Sequence, residues 1–246
     1  MISTGKETAR LSAADWNRWA ATVHPDDLSA MEADHFQQMA SPMPGMTAVD
    51  LACGTGLWTR QLAAWGMTVT GYDFSDEALR RAKAAGSGAR LSYRLWDIVA
   101  DPIPPTLVPG QLDVVTCRYG LPYLEPGRLL TDVGRWLKPS GVFYAVVHVE
   151  ADAEPGAIQC RAPGNQPSAA TPFAPGLQEE HLSEVGAGWA KREVHQLGPC
   201  RRAIVLHGYG LAPWEWSRVM DESLAPAVGL TAAHTGHHRI AEGDAS

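Results

Sequence analysis

Asp50, Gly54 and Gly56 stand at a spacing that suits ligand capture. In the stretch Ala48-Val49-Asp50-Leu51-Ala52-Cys53-Gly54-Thr55-Gly56-Leu57-Trp58, a short apolar run leads into a Gly-X-Gly turn and then a helical pattern. Such an order delivers a buried strand to a tight loop and the loop to a helix N-terminus. The glycines let the backbone bend sharply and let a ligand approach where a Cβ would block it, while the helix start offers unpaired N–H groups. Asp50 selects among ligands, because a carboxylate in the loop approach repels a pyrophosphate and attracts a cation such as a protonated amine. The dinucleotide fingerprint also wants a third glycine where this chain has Thr59, so a nicotinamide-dependent dehydrogenase is disfavoured.

Further acids and bases fall at the ends of four more strand-like runs. Asp73 closes Thr68-Val69-Thr70-Gly71-Tyr72, and a carboxylate there can accept from both hydroxyls of a ribose. Its alternative is to cap the next helix, a role also open to Ser75 or Asp76. Asp97 follows the third run, Leu91 to Leu95, with ligand contact and helix capping both open. Arg118 and Tyr119 follow the fourth, Leu112 to Cys117, and His148 ends the fifth, Val142 to His148. An imidazole titrates near ~6.5, which suits a general base, although a strand-end histidine can equally be structural.

Asp50 through Gly56 resembles the first motif of the class I S-adenosylmethionine-dependent methyltransferases: an acid, a spacer, a small residue, then X-Gly-X-Gly. Ala52 stands where that family often has glycine. The turn Leu137-Lys138-Pro139-Ser140-Gly141 before the fifth strand is also similar, and the resemblance runs from about residue 48 to residue 149. It implies S-adenosyl-L-methionine as cofactor, held by Asp50, Ala52, Cys53, Gly54, Gly56, Asp73, Phe74, Asp97, Ile98 and Arg118. Asp73 would take the ribose, Asp97 the adenine amino group, and Ile98 the adenine ring. The implied chemistry moves a methyl group from a sulfonium to a nucleophile, so the protein mainly positions, desolvates and deprotonates the acceptor. His148 and Tyr119 are the catalytic candidates, and Trp16, Trp19 and Tyr123 the candidates for substrate contact. The tyrosines can orient an acceptor or wall the cavity; Trp16 and Trp19, three apart, can close over the site or simply pack a helix. A cofactor-binding protein of the same fold without turnover is the alternative.

Positioning these residues requires alternating strands and helices, hence right-handed crossovers and an α/β fold of three layers. The expectation is a Rossmann-like, mostly parallel seven-stranded sheet with the site at the C-terminal ends of its strands. Trp189 to Leu197 and Arg202 to His207 read as two late strands, and the resemblance makes them an antiparallel hairpin. Residues 1–47 form a helical cap with one or two short helices, 48–224 the methyltransferase domain, and 225–246 a flexible tail. Within the domain, 151–176 carries Pro155, Pro163, Pro167, Pro172 and Pro175, which exclude a continuous helix and suggest a lid or long loop; a helix follows over 177–185.

With 246 residues, 45% hydrophobic and 19% charged, the chain has the composition of an ordinary globular protein. Its net charge of −7 gives no footprint for nucleic acid, so a small-molecule or peptide acceptor is expected. No apolar stretch is long enough to cross a bilayer and no leader opens the chain, which points to a cytoplasmic protein. Cys53, Cys117, Cys160 and Cys200 form no Cys-X-X-Cys pair and are expected as free thiols. His234, His237 and His238 lack an acid or cysteine at ligand spacing, so no metal site is expected. Oligomeric state is left open.

Overall fold

The computed structural model describes residues 11–23, 28–149, 177, 179–182 and 185–224. In chain order the elements are α1 (Ala13–Thr22), α2 (Ala30–Ala40), β1 (Thr47–Leu51), α3 (Leu57–Ala64), β2 (Thr68–Asp73), α4 (Asp76–Ala85), β3 (Leu91–Leu95), β4 (Leu112–Arg118), a 3-10 turn (Leu121–Tyr123), α5 (Pro126–Trp136), β5 (Leu137–His148), α6 (Glu179–Leu182), β6 (Trp189–Gly198), β7 (Arg201–Tyr209) and α7 (Pro213–Leu224).

The seven strands form one sheet in the order β3-β2-β1-β4-β5-β7-β6. β1 to β5 pair in parallel, and β7 runs antiparallel to both β5 and β6. The strand order reverses between β1 and β4, which opens a crevice at their C-terminal ends. This is the expected three-layer Rossmann-like fold, a mostly parallel seven-stranded sheet with an antiparallel C-terminal pair.

Alternation along each strand sends neighbouring side chains to opposite faces. On one face Val49, Leu51, Val115, Phe143, Ala145, Ile204 and Leu206 pack with Leu130, Val133 and Trp136 of α5. On the other, Ala48, Val114, Val142, Tyr144 and Val205 pack with Phe36 of α2 and with Trp58 and Leu62 of α3. α5 buries Leu129, Leu130, Val133 and Trp136, a single stripe at helical period, and begins with a proline, which lacks only a donor that a first turn leaves unpaired.

Several local expectations change. Leu137 to Gly141, expected as a turn, is the first part of β5; Leu137 pairs with Leu112 across a register shift, so a bulge absorbs Pro139 and Gly141. The helix expected over 177–185 is described only at Glu179–Leu182, and α7 had no counterpart in the sequence reading. Cys53 and Cys117 are free and buried, but Cys200 is disulfide-bonded, against the expectation of free thiols. Thiol pairing depends on which distant segments the fold brings together, and spacing does not report that. Residues 151–176 and 225–246, with the expected lid, tail and histidine cluster, lie outside the described residues. Among the described residues no helix is long and apolar enough to cross a membrane.

Candidate functional site

The glycine loop leaves β1 in left-handed backbone. Ala52 (φ 52°), Gly54 (φ 54°) and Gly56 (φ 74°) all have positive φ, which is costly for Ala52 and explains why glycine would also suit its place. The two glycines serve different needs. A Cβ on Gly56 would lie 2.5 Å from the Tyr93 hydroxyl, so its absence lets the loop pack against β3. A Cβ on Gly54 would meet nothing within 4 Å, so its missing side chain leaves the backbone open toward the crevice. Gly56 also starts α3 without a side-chain cap, which leaves the first turn's N–H groups pointing the same way.

Asp73 ties this loop to the tip of β2. Its Oδ2 accepts from the Gly54 N–H at 2.8 Å and its Oδ1 from the Ser75 N–H at 2.9 Å. Burial raises its pKa, and the backbone donors pull it back. The cap of α4 is Ser75, whose Oγ accepts from Ala78 at 3.1 Å, so Asp73 is not spent on capping. With the Phe74 N–H also on the carboxylate, three of its roughly four lone-pair sites are engaged and acceptor capacity remains for a ligand.

Asp50 lies under the loop. At 1% exposure, it accepts from the hydroxyls of Thr59 and Thr116, both at 2.7 Å, and so joins β1 to α3 and β4. Burial lifts its pKa to about 6, opposed by the two hydroxyls and the Arg118 charge. Thr59, read from the sequence only as a missing glycine, is therefore one of the donors that hold this carboxylate. Both oxygens being engaged, Asp50 acts on a ligand through its charge and through loop geometry.

The remaining sequence candidates divide. Cys53 is a buried thiol whose pKa is raised by burial and by the nearby acids. Asp97 Oδ1 accepts from Val99 and Ala100 at 3.0 and 3.1 Å in a local turn with no helix after it to cap, and Ile98 packs against the α5-side core. Arg118, expected on the cofactor, instead turns to α2. Its Nε and Nη2 both donate to the buried Glu32, the latter at 3.1 Å, and the guanidinium lies 5.1 Å over Trp58 and 5.2 Å over Tyr119. The cause is strand alternation, which puts position 118 on the same face as Val114 and Thr116, the face α2 covers.

Tyr119 and His148 meet. Their rings stack at 4.7 Å with 16° between planes, and Tyr119 has a left-handed backbone (φ 58°), a conformation sparsely used by bulky residues. Burial and the Arg201 charge hold His148 below its usual pKa, against a hydrogen bond with the Cys200 backbone and the Glu32 charge, so its imidazole is neutral and able to accept a proton at neutral pH.

α1 crosses the same end of the sheet. Trp16 packs edge-on against Tyr123 at 5.0 Å, Trp19 at 5.5 Å and Phe74 at 6.2 Å. Asn17 anchors the helix, accepting from Ser75 Oγ at 2.6 Å and donating to Asp76 at 2.5 Å. Trp16, Phe74 and Tyr123, distant in sequence, thus form one aromatic wall beside the residue that binds the glycine loop. Glu32, Thr59, Ser75 and Thr116 were not picked out as site residues; the donor hydroxyl three places into α3 was the one sequence signal available.

Comparison with known proteins fits this geometry. Residues 49–145 match the family model described as a methyltransferase domain. The ubiquinone biosynthesis O-methyltransferase of Ralstonia nicotianae is 31% identical over 129 residues, 52% of this chain and 53% of that protein. The chain spans about half the length of the curated relatives it matches. Among solved structures, the Haemonchus contortus phosphoethanolamine N-methyltransferase 2 in complex with S-adenosyl-L-methionine covers 82% of this chain and 58% of its own, with TM-score 0.58 and 14% identity. The cyclase SpnF covers 73% and 80%, with TM-score 0.53 and 17% identity. At those identities the likeness concerns the fold.

Proposed function

Taking residues 49–145 as a class I methyltransferase domain, we propose that the chain binds S-adenosyl-L-methionine above the glycine loop and methylates an oxygen or nitrogen of a small-molecule or peptide acceptor. The observation that carries this reading is the open α-carbon of Gly54, hydrogen-bonded through its N–H to Asp73 at the point where strand order reverses. A ligand can lie against bare backbone there and present a hydroxyl to the remaining acceptor capacity of Asp73. Likeness to O-methyltransferases favours oxygen as the acceptor atom.

When bound, the cofactor supplies an activated methyl on a cationic sulfur. Gly54 would leave room for it, Asp73 would accept ribose hydroxyls, and the buried Asp50 charge would favour its cation. Asp97 and Ile98, which follow β3, would take the adenine amino group and ring. Trp16, Phe74 and Tyr123 screen the crevice from water, which strengthens every charge interaction inside it. His148, neutral and stacked on Tyr119, takes the acceptor's proton on a ring nitrogen as the acceptor atom attacks.

Asp73→Ala tests the reading. Loss of one charge-assisted acceptor should weaken binding of S-adenosylmethionine and S-adenosylhomocysteine by about 1.5–3 kcal/mol. Calorimetry on a folded variant with unchanged affinity would remove Asp73 from the site. Because a cyclase shares this fold, binding and methyl transfer are measured separately, the second with isotopically labelled cofactor and a panel of phenol, amine and peptide acceptors.

A further inference from the structure

We propose that Glu32 is a positioning residue for the acceptor side of the crevice: from α2 it holds Arg118, and through Arg118 it sets the Tyr119–His148 pair at the ends of β4 and β5.

Glu32 is 1% exposed, in the first turn of a helix outside the residues that carry the methyltransferase motifs. An apolar side chain would pack there at lower cost, since a buried ion pair seldom repays its desolvation. The geometry shows what the charge does instead. Both carboxylate oxygens take N–H groups of Arg118, a forked contact that fixes the guanidinium in rotation as well as position. Arg201 approaches the same carboxylate at 4.0 Å from β7. The fixed guanidinium lies over both the Trp58 and the Tyr119 rings, and the Tyr119 ring also stacks with the His148 imidazole. Tyr119 therefore has two ring partners, with its N–H held by the Val146 carbonyl at 2.7 Å and its φ in the left-handed region. Release of Arg118 removes one of those two ring partners, and the strained backbone then has less to hold its conformation.

Electrostatics point the same way. The groups facing His148 are Tyr119 from β4, Arg201 and the Cys200 backbone from the β6–β7 end of the sheet, and the Glu32 charge from α2. Arg201 lowers the imidazole pKa and Glu32 raises it. Glu32→Gln removes a negative charge near a group that binds a proton, so the His148 pKa must fall further. A helix that merely filled space would not move it.

The kinetic part of this inference rests on the methyl-transfer reading; the titration does not. In the full chain, Glu32→Gln should lower the His148 titration midpoint, followed by NMR with a His148→Asn spectrum for assignment. S-adenosylhomocysteine affinity should stay within about twofold, because Gly54 and Asp73 do not touch Glu32. Turnover should fall about tenfold or more, with the acid limb of its pH profile moved to lower pH. Where Glu32→Gln does not fold, Glu32→Met with Arg118→Met removes both charges together and should fold, with turnover reduced as in the single variant and S-adenosylhomocysteine affinity kept. An unmoved midpoint overturns the proposal. So does a parallel loss of S-adenosylhomocysteine affinity, which would make Glu32 a support for the whole crevice, and so does failure of the double variant to fold. If the unsubstituted protein binds S-adenosylhomocysteine yet methylates nothing, the proposed function fails, and the titration still decides the role of Glu32.

Discussion

Replacing Asp50 with asparagine should stabilise the fold while weakening the ligand site. The Asp50 carboxyl is raised from 3.8 to about 6, so the folded protein prefers it protonated. Below about pH 4 the group is protonated in both states and contributes nothing. Between the two values the unfolded chain ionises first, and stability is lost as pH rises; above about pH 6 the full cost is present. A gap of roughly two pKa units is worth about 3 kcal/mol, of which about 2 kcal/mol falls between pH 4.5 and pH 7.5. The asparagine variant lacks this slope. Its oxygen can still accept from Thr116, and its amide can donate to Thr59, so the two hydroxyl links survive. Denaturant unfolding of both proteins at those two pH values should show the variant gaining about 2 kcal/mol on the parent as pH rises. Comparison of the pair cancels the other carboxylates, including Asp113, which is held low beside Lys138. A difference independent of pH, or one that favours the parent at the higher value, would refute the reasoning and show that the hydroxyls and Arg118 outweigh the burial of Asp50. The same variant should bind S-adenosylmethionine more weakly than the parent, since the charge opposite a cationic ligand is gone.

Gly54→Val should abolish S-adenosylhomocysteine binding in calorimetry with the far-UV spectrum unchanged; its cost to folding is the left-handed backbone, about 1–2 kcal/mol, because no protein atom stands in the way of the new Cβ. Normal binding by that variant would place the ligand elsewhere. Trp16→Ala removes the ring that joins Phe74 to Tyr123, and should raise the acceptor's KM more than it weakens cofactor binding. An equal loss in both would put Trp16 in the cofactor site.

The amino-acid sequence by itself determined the strands and the loop between the first strand and its helix. β1, β2 and β4 appear as short apolar or β-branched runs within a residue or two of their observed bounds, because a buried parallel strand is apolar on both faces, and the edge strand β3 was placed by the turn residues before it. Gly54 and Gly56 were legible because turn geometry is local, and Asp73 because a strand tip is a local position. What the sequence left open was decided by juxtaposition. Asp50 is recognisable as an acid, but its donors come from α3 and from β4, and only the assembled sheet makes Thr59 and Thr116 its partners. Alternation along β4 says that Arg118 and Thr116 share a face; it does not say that α2 covers that face with Glu32, 86 residues away. The disulfide at Cys200 and the stacking of Tyr119 on His148 were equally invisible. Periodicity along one segment reports which side of an element is buried, whereas the chemistry of the crevice depends on what another segment brings to that side, and that is settled only by the packing of the whole chain.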